Sequence, residues 1–167
     1  KVIEYSPDGD QKITYTNNLG QNYKSTVKGF ANGSYISSEV VFDILGRKIK
    51  ESEPYFEGAG ASKWNVTEYD DYSRPIKLTA FTGKIIETSY SGRTVTATET
   101  NANNRFKTQV YDPIGNLSSA KDKGGTITYR YNAAGDNIES KYGTNSVTTK
   151  YDNWGRKSEF NDPSNGI

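Results

Sequence analysis

Thr126-Ile127-Thr128-Tyr129-Arg130-Tyr131-Asn132-Ala133-Ala134-Gly135-Asp136 is the stretch whose reading decides the fold. Its first half alternates, which predicts a strand with Ile127, Tyr129 and Tyr131 on one face and Thr126, Thr128 and Arg130 on the other. Its second half is turn chemistry. An Asp or Asn at the first of four turn positions accepts hydrogen bonds from backbone amides two residues on, and glycine at the fourth takes the positive φ that closes a type I turn with a bulge. A return strand, 136–142, and a second turn, Gly143-Thr144-Asn145, complete a β-hairpin and its exit.

The phrase recurs, and internal periodicity outranks local propensity in deciding architecture. Tyr111-Asp112-Pro113-Ile114-Gly115-Asn116 and Tyr151-Asp152-Asn153-Trp154-Gly155-Arg156 place the leading tyrosine 20 residues either side of Tyr131. Upstream, Phe42-Asp43-Ile44-Leu45-Gly46-Arg47 and Tyr69-Asp70-Asp71-Tyr72-Ser73-Arg74 carry one substitution each, and Tyr5-Ser6-Pro7-Asp8-Gly9-Asp10 is a looser copy. Tyr69 to Tyr90 and Tyr90 to Tyr111 are each 21 residues, although Tyr90-Ser91-Gly92-Arg93 is contracted. Phe42 to Tyr69 is 27 residues, and the excess falls in 54–63, whose proline, glycines and small residues read as a loop insertion. Ile49, Ile76 and Ile138 each stand seven residues past their leading aromatic, on the return strand.

The predicted fold is therefore all-β: a continuous antiparallel sheet of repeated β-hairpins, about 20–21 residues each, starting near positions 5, 42, 69, 90, 111, 131 and 151. We read 1–167 as a single repeat-array segment. Composition agrees with a wall more than a ball, with 32% apolar residues and thirteen tyrosines, against about 45–50% apolar in ordinary domains by a count that includes glycine. Tyrosine suits a face that meets water, and rings stacked between successive repeats are expected to add about 0.5–1.5 kcal/mol each. A start at Lys1 and the absence of methionine point to a processed or excised piece, with unpaired sheet edges at Lys1 and Ile167.

The same sequence narrows function. A net charge of +1 gives no reason to expect nucleic acid or a membrane surface, and no apolar run reaches spanning length. With no histidine and no cysteine, imidazole acid/base chemistry, thiol nucleophiles and the commonest transition-metal ligands are unavailable. We assign no catalytic residue, cofactor or metal. Asp70 and Asp71 are adjacent, so their side chains diverge at a strand end and a turn accounts for them. Asp43, Asp70, Asp112 and Asp152 fall one per repeat, roughly 10 Å apart, too far to share one calcium ion. Arg47, Arg74 and Arg156, just past the turn glycine or its replacement, are expected to pair with the aspartate or pack on an aromatic ring of the adjacent repeat. Trp154, inside its turn, is the candidate contact for a ligand such as a glycan.

The repeated phrase is similar to that of the RHS or YD-repeat family, on the motif residues Phe42, Asp43, Gly46, Arg47, Tyr69, Asp70, Arg74, Tyr90, Tyr111, Asp112, Gly115, Tyr131, Gly135, Tyr151, Asp152, Gly155 and Arg156. Asn132 for aspartate, Ser73 for glycine and the contracted repeat at Tyr90 depart from the pattern. The resemblance implies a curved strip in the hollow shell of a large secreted or cell-surface protein. In bacterial members, including toxin-complex shell proteins and polymorphic toxins, that shell encloses a C-terminal toxic segment; in animal teneurins it serves adhesion. The partners implied are the remaining repeats of the same polypeptide, an enclosed effector, and secretion machinery or other subunits. The alternative is an adhesin-like module that binds glycans or partner proteins.

Overall fold

The computed structural model describes residues 1–5, 10–31, 33–101 and 104–165. Residues 6–9 of the looser copy Tyr5–Asp10, and the terminal Gly166 and Ile167, therefore lie outside the described residues. The chain is all-β. Its first unit, Lys1–Ile86, holds β1 (Val2–Tyr5), β2 (Gln11–Thr16), β3 (Asn22–Lys28), β4 (Tyr35–Phe42), β5 (Lys48–Ser52), β6 (Tyr55–Phe56), β7 (Trp64–Tyr69) and β8 (Pro75–Thr79). β9 (Ile85–Ser91) begins there and runs into the second unit, Glu87–Ile167. The second unit continues with β10 (Thr94–Glu99), β11 (Phe106–Tyr111), β12 (Leu117–Asp122), β13 (Gly125–Tyr131), β14 (Asn137–Tyr142), β15 (Asn145–Tyr151) and β16 (Lys157–Asn161). All sixteen belong to one open antiparallel sheet ordered as in the chain, except that β6 leaves the path and pairs with β4.

Six of the hairpins carry one irregularity at the same place. The register slips at Tyr15/Thr16, Val41/Phe42, Glu68/Tyr69, Val110/Tyr111, Arg130/Tyr131 and Lys150/Tyr151. In each case the return strand has one residue too many: Arg130 faces Glu139 but Tyr131 faces Asn137, leaving Ile138 over. Ile49 and Ile76 are left over in the same way. The recurring isoleucine is thus the bulge residue, and the simple two-face alternation breaks on the return strand, because an extra residue inverts the phase.

Burial follows the thin aliphatic content. Among the described residues no hydrophobic side chain is buried, and the buried residues are Thr26, Ser37, Ser52, Glu99 and Thr149. Cohesion in each unit therefore rests on ladder hydrogen bonds, half-buried rings and side-chain hydrogen bonds more than on a closed core.

Candidate functional site

The repeated turn has a constant geometry. The Asp43 amide donates to the Arg47 carbonyl at 2.9 Å and the Gly46 amide to the Asp43 carbonyl at 3.0 Å. Asp43 Oδ1 accepts from the amides of Leu45 and Arg47, both at 2.9 Å. Asp70, Asp112 and Asp152 do the same for their own turns, and Asn132 does it with its amide oxygen. The fourth residue has positive φ every time, 77° at Gly46 and 62° even at Ser73. At Tyr90 the turn is a two-residue loop, Gly92-Arg93, with Gly92 at φ 55°.

The spare oxygen of three of these aspartates holds a cation, and that of Asp112 takes the neutral side-chain amide of Asn116 at 3.1 Å. Asp43 Oδ2 takes Arg47 Nε at 2.6 Å, Asp70 Oδ2 takes Arg74 Nε at 2.7 Å and Asp152 Oδ2 takes Arg156 Nε at 2.8 Å. Arg47 also lies 4.8 Å from the ring centre of Tyr69 in the next repeat, and its Nη1 donates to the Asp70 carbonyl and to Ser73 Oγ, each at 3.2 Å. Arg74 and Arg156 instead cover rings in their own turns, Tyr72 at 5.1 Å and Trp154 at 5.0 Å. Trp154 is 79% exposed. Among the described residues no three His, Cys, Asp or Glu side chains gather as a metal would need.

The turn carboxyls share one direction of shift. At Asp43, Asp70 and Asp112 partial desolvation pushes the carboxyl up, but the amide and side-chain hydrogen bonds of Arg47, Arg74 and Asn116 outweigh it and hold each below its ordinary 3.8. At Asp152 the Arg156 amide is the leading cause and the result is the same. A depressed folded pKa contributes stability above the unfolded value that is lost as pH falls through the folded one. The thermal midpoint should therefore fall steeply below about pH 4, and a variant with Asp43→Asn, Asp70→Asn, Asp112→Asn and Asp152→Asn should show a flatter acid limb by circular dichroism. An unchanged limb in that variant would remove the turns as its cause.

Three of the leading tyrosines join one repeat to the one before. The hydroxyl of Tyr69 donates to the Lys48 carbonyl at 2.8 Å, Tyr131 to Leu117 at 3.0 Å and Tyr151 to Asn137 at 3.2 Å. Each acceptor is the first residue of the preceding return strand, two past the turn glycine. These three rings make no stack with one another. Equivalent tyrosines stand two strands apart, roughly 9.6 Å, beyond the 4.5–7 Å range of ring stacking, so the expected stacking gives way to a hydroxyl lock. Phe42 has no hydroxyl, and there Gln21 Nε2 reaches across to the Gly46 carbonyl at 3.0 Å.

Two further turns of this type escape the sequence reading. In 17–20, Asn17 Oδ1 takes the Leu19 and Gln21 amides at 3.0 Å, with Gly20 at φ 77°; Asn17-Asn18-Leu19-Gly20 was the available signal, obscured by Thr16 in the aromatic position. In 80–83 alanine replaces the Asx residue while the backbone pairing is kept, the Gly83 amide donating to the Ala80 carbonyl at 2.9 Å; Asn65 Oδ1 on β7 accepts from a different amide of the turn, that of Phe81, at 3.0 Å. A polar cluster on the first unit was also missed. Lys24, Ser37, Glu39, Tyr55 and Glu57 meet there, with Lys24 Nζ 2.9 Å from Glu57 and Ser37 1% exposed. It is no serine–lysine pair for catalysis: the Glu57 hydrogen bond raises the Lys24 pKa, so the amine stays protonated, and Ser37 Oγ already donates to Glu57.

Known structures share this fold. The chain matches the Photorhabdus luminescens Tc holotoxin pore with a TM-score of 0.67 at 13% identity over 95% of its length. It matches TcdB2-TccC3 solved without its hypervariable C-terminal region with 0.57 at 15% identity over 93%, and TcdB2-TccC3 with 0.56 at 17% identity over 92%. It spans 9% of each of those chains. No protein-family model and no curated protein sequence matches the chain. The fold is thus that of a stretch of a toxin-complex subunit.

Proposed function

We propose that the chain is a structural segment in the wall of an RHS-type β-shell, in a large exported protein that encloses or carries a C-terminal effector. The observation that carries this reading is the fold likeness to the Tc holotoxin pore over 95% of the chain. The hydroxyl locks support it, since at Tyr69, Tyr131 and Tyr151 they couple a hairpin to its predecessor and favour a long sheet over separate modules. On this reading the partners are further repeats of the same polypeptide and the enclosed segment, the location is outside the producing cell, and the chain has no catalytic role. No helix among the described residues is long and apolar enough to cross a membrane.

The test uses the native polypeptide that contains residues 1–167, imaged by electron cryo-microscopy and challenged with protease. A hollow particle whose tail segment resists digestion until the wall is opened is the expected result. A solid or filamentous particle, or a tail digested at the rate of free peptide, would overturn the proposal.

A further inference from the structure

The insertion at 54–63 does more than lengthen a connection. β5 ends at Ser52, and after Glu53 and Pro54 the chain rejoins β4, with Ser37 opposite Tyr55 and Ile36 opposite Phe56. The Glu57 amide closes this short ladder on the Tyr35 carbonyl at 2.9 Å. β7 pairs with β5 instead, Trp64 opposite Ser52, so β6 lies off the main strand path.

What β6 covers is polar. Thr26 and Ser37 are 4% and 1% exposed, and their hydroxyls lie 2.8 Å apart. Ser37 then donates to one oxygen of Glu57, whose other oxygen takes Lys24 Nζ at 2.9 Å. Tyr55 donates to Glu39, which stands 3.8 Å from the same ammonium. Phe56 is 65% exposed, so its burial contributes little. Two ladder pairs and a set of charge-assisted bonds hold the segment down.

We propose that Tyr55–Glu57 is a strap that opens and closes on the first unit, locked by Lys24, Glu57 and Ser37, and that neutralising Glu57 releases it, baring the Thr26–Ser37 pair and the β4 edge beside it. The groups facing the lock are Lys24 from β3, Glu39 and Tyr35 from β4, Tyr55 from β6 and Tyr15 from β2. The Tyr15 ring also lies 5.7 Å from Lys1 Nζ and 5.9 Å from Lys24 Nζ. One ammonium serves two carboxylates. The Ser37 and then the Lys24 hydrogen bonds hold Glu57 below its ordinary 4.5, and the Glu57 hydrogen bond raises Lys24 above 10.5. Glu57 contributes above its ordinary value and loses its contribution as pH falls through the lowered one; Lys24 contributes below 10.5 and loses it above. The strap is closed across the neutral range and opens in acid.

Hydrogen exchange on the 167-residue chain, corrected for intrinsic rates, tests this between pH 7 and pH 3. Protection of the Glu57 amide and the β4–β6 ladder should fall at least tenfold in acid, while the β14–β15 ladder keeps its protection. Glu57→Gln should show the loss already at pH 7 with little further change on acidification, and Lys24→Met should open the same amides. Loss of protection over the whole first unit together, or a Glu57→Gln chain protected like the parent at pH 7, would overturn the strap.

Discussion

Gly125→Ala should destabilise the second unit by about 2–3 kcal/mol, the largest effect expected of any single methyl group in this chain. Gly125 opens β13 after the Lys123-Gly124 loop and has φ 142°, a region L-residues rarely adopt. Strain of that kind costs about 1–3 kcal/mol by itself. A Cβ there would also sit 2.5 Å from Cε2 and 2.9 Å from the hydroxyl of Tyr142. Tyr142 lies over this glycine because its hydroxyl donates to the Gly124 carbonyl, and the ring helps line a cavity of about 540 Å³ with Ile127 and Tyr129. The ring, half exposed at 51%, can swing away, but only by giving up that bond. The drop in thermal midpoint should be on the order of 15 °C, given about 4–8 °C per kcal/mol for a unit of this size. Gly124→Ala is the control: its Cβ would meet only the end of the Asp122 side chain, at 3.2 Å. Gly125→Ala with Tyr142→Ala separates the two causes, since a residual loss in the pair reports the backbone. Equal midpoints for Gly124→Ala and Gly125→Ala would refute the argument.

The fold class is legible in the sequence because its determinants are local. An Asx side chain reaches amides two and four residues on, and a positive φ needs glycine or a tolerant substitute, so 43–46 and 112–115 can be read without knowing any distant partner. The strand alternation between such turns is equally local. What escapes depends on register between segments far apart in sequence. The bulge at Arg130/Tyr131 cannot be seen in Ile138 alone, yet it sets where the Tyr131 hydroxyl lands. Asn65 reaches the Phe81 amide of the 80–83 turn from sixteen residues upstream, a contact made only in space. β6 hides in a stretch of glycine, proline and small residues, because its two ladder pairs draw on Ser37 and Ile36 and its fastening draws on Lys24. The polar cluster has no motif for the same reason: its members come from two strands, β3 and β4, and an insertion.

Tyr131→Phe combined with Tyr151→Phe should cost about 2 kcal/mol, close to the sum of the single changes. Each substitution removes one hydroxyl and leaves the ring, so the loss is that of one hydrogen bond, about 0.5–1.5 kcal/mol. The acceptors, Leu117 and Asn137, open different strands and share no partner, which is the condition for additivity. The two bonds are also side-chain links that run from one repeat back to the last, so they bear on cooperativity as well as stability. If they couple the hairpins, the double variant should unfold over a broader range, with β16 losing amide protection before β12. A hairpin array without such coupling would lose stability and keep its sharpness. Phe42→Tyr runs the experiment in reverse, since the first unit already has the equivalent carbonyl at Asn22, two past Gly20, and lacks only the hydroxyl. A gain of about 1 kcal/mol there, with losses at Tyr131 and Tyr151, would establish the lock as the device that turns repeated hairpins into a wall. No change in either direction would mean that the ladder alone holds the repeats together.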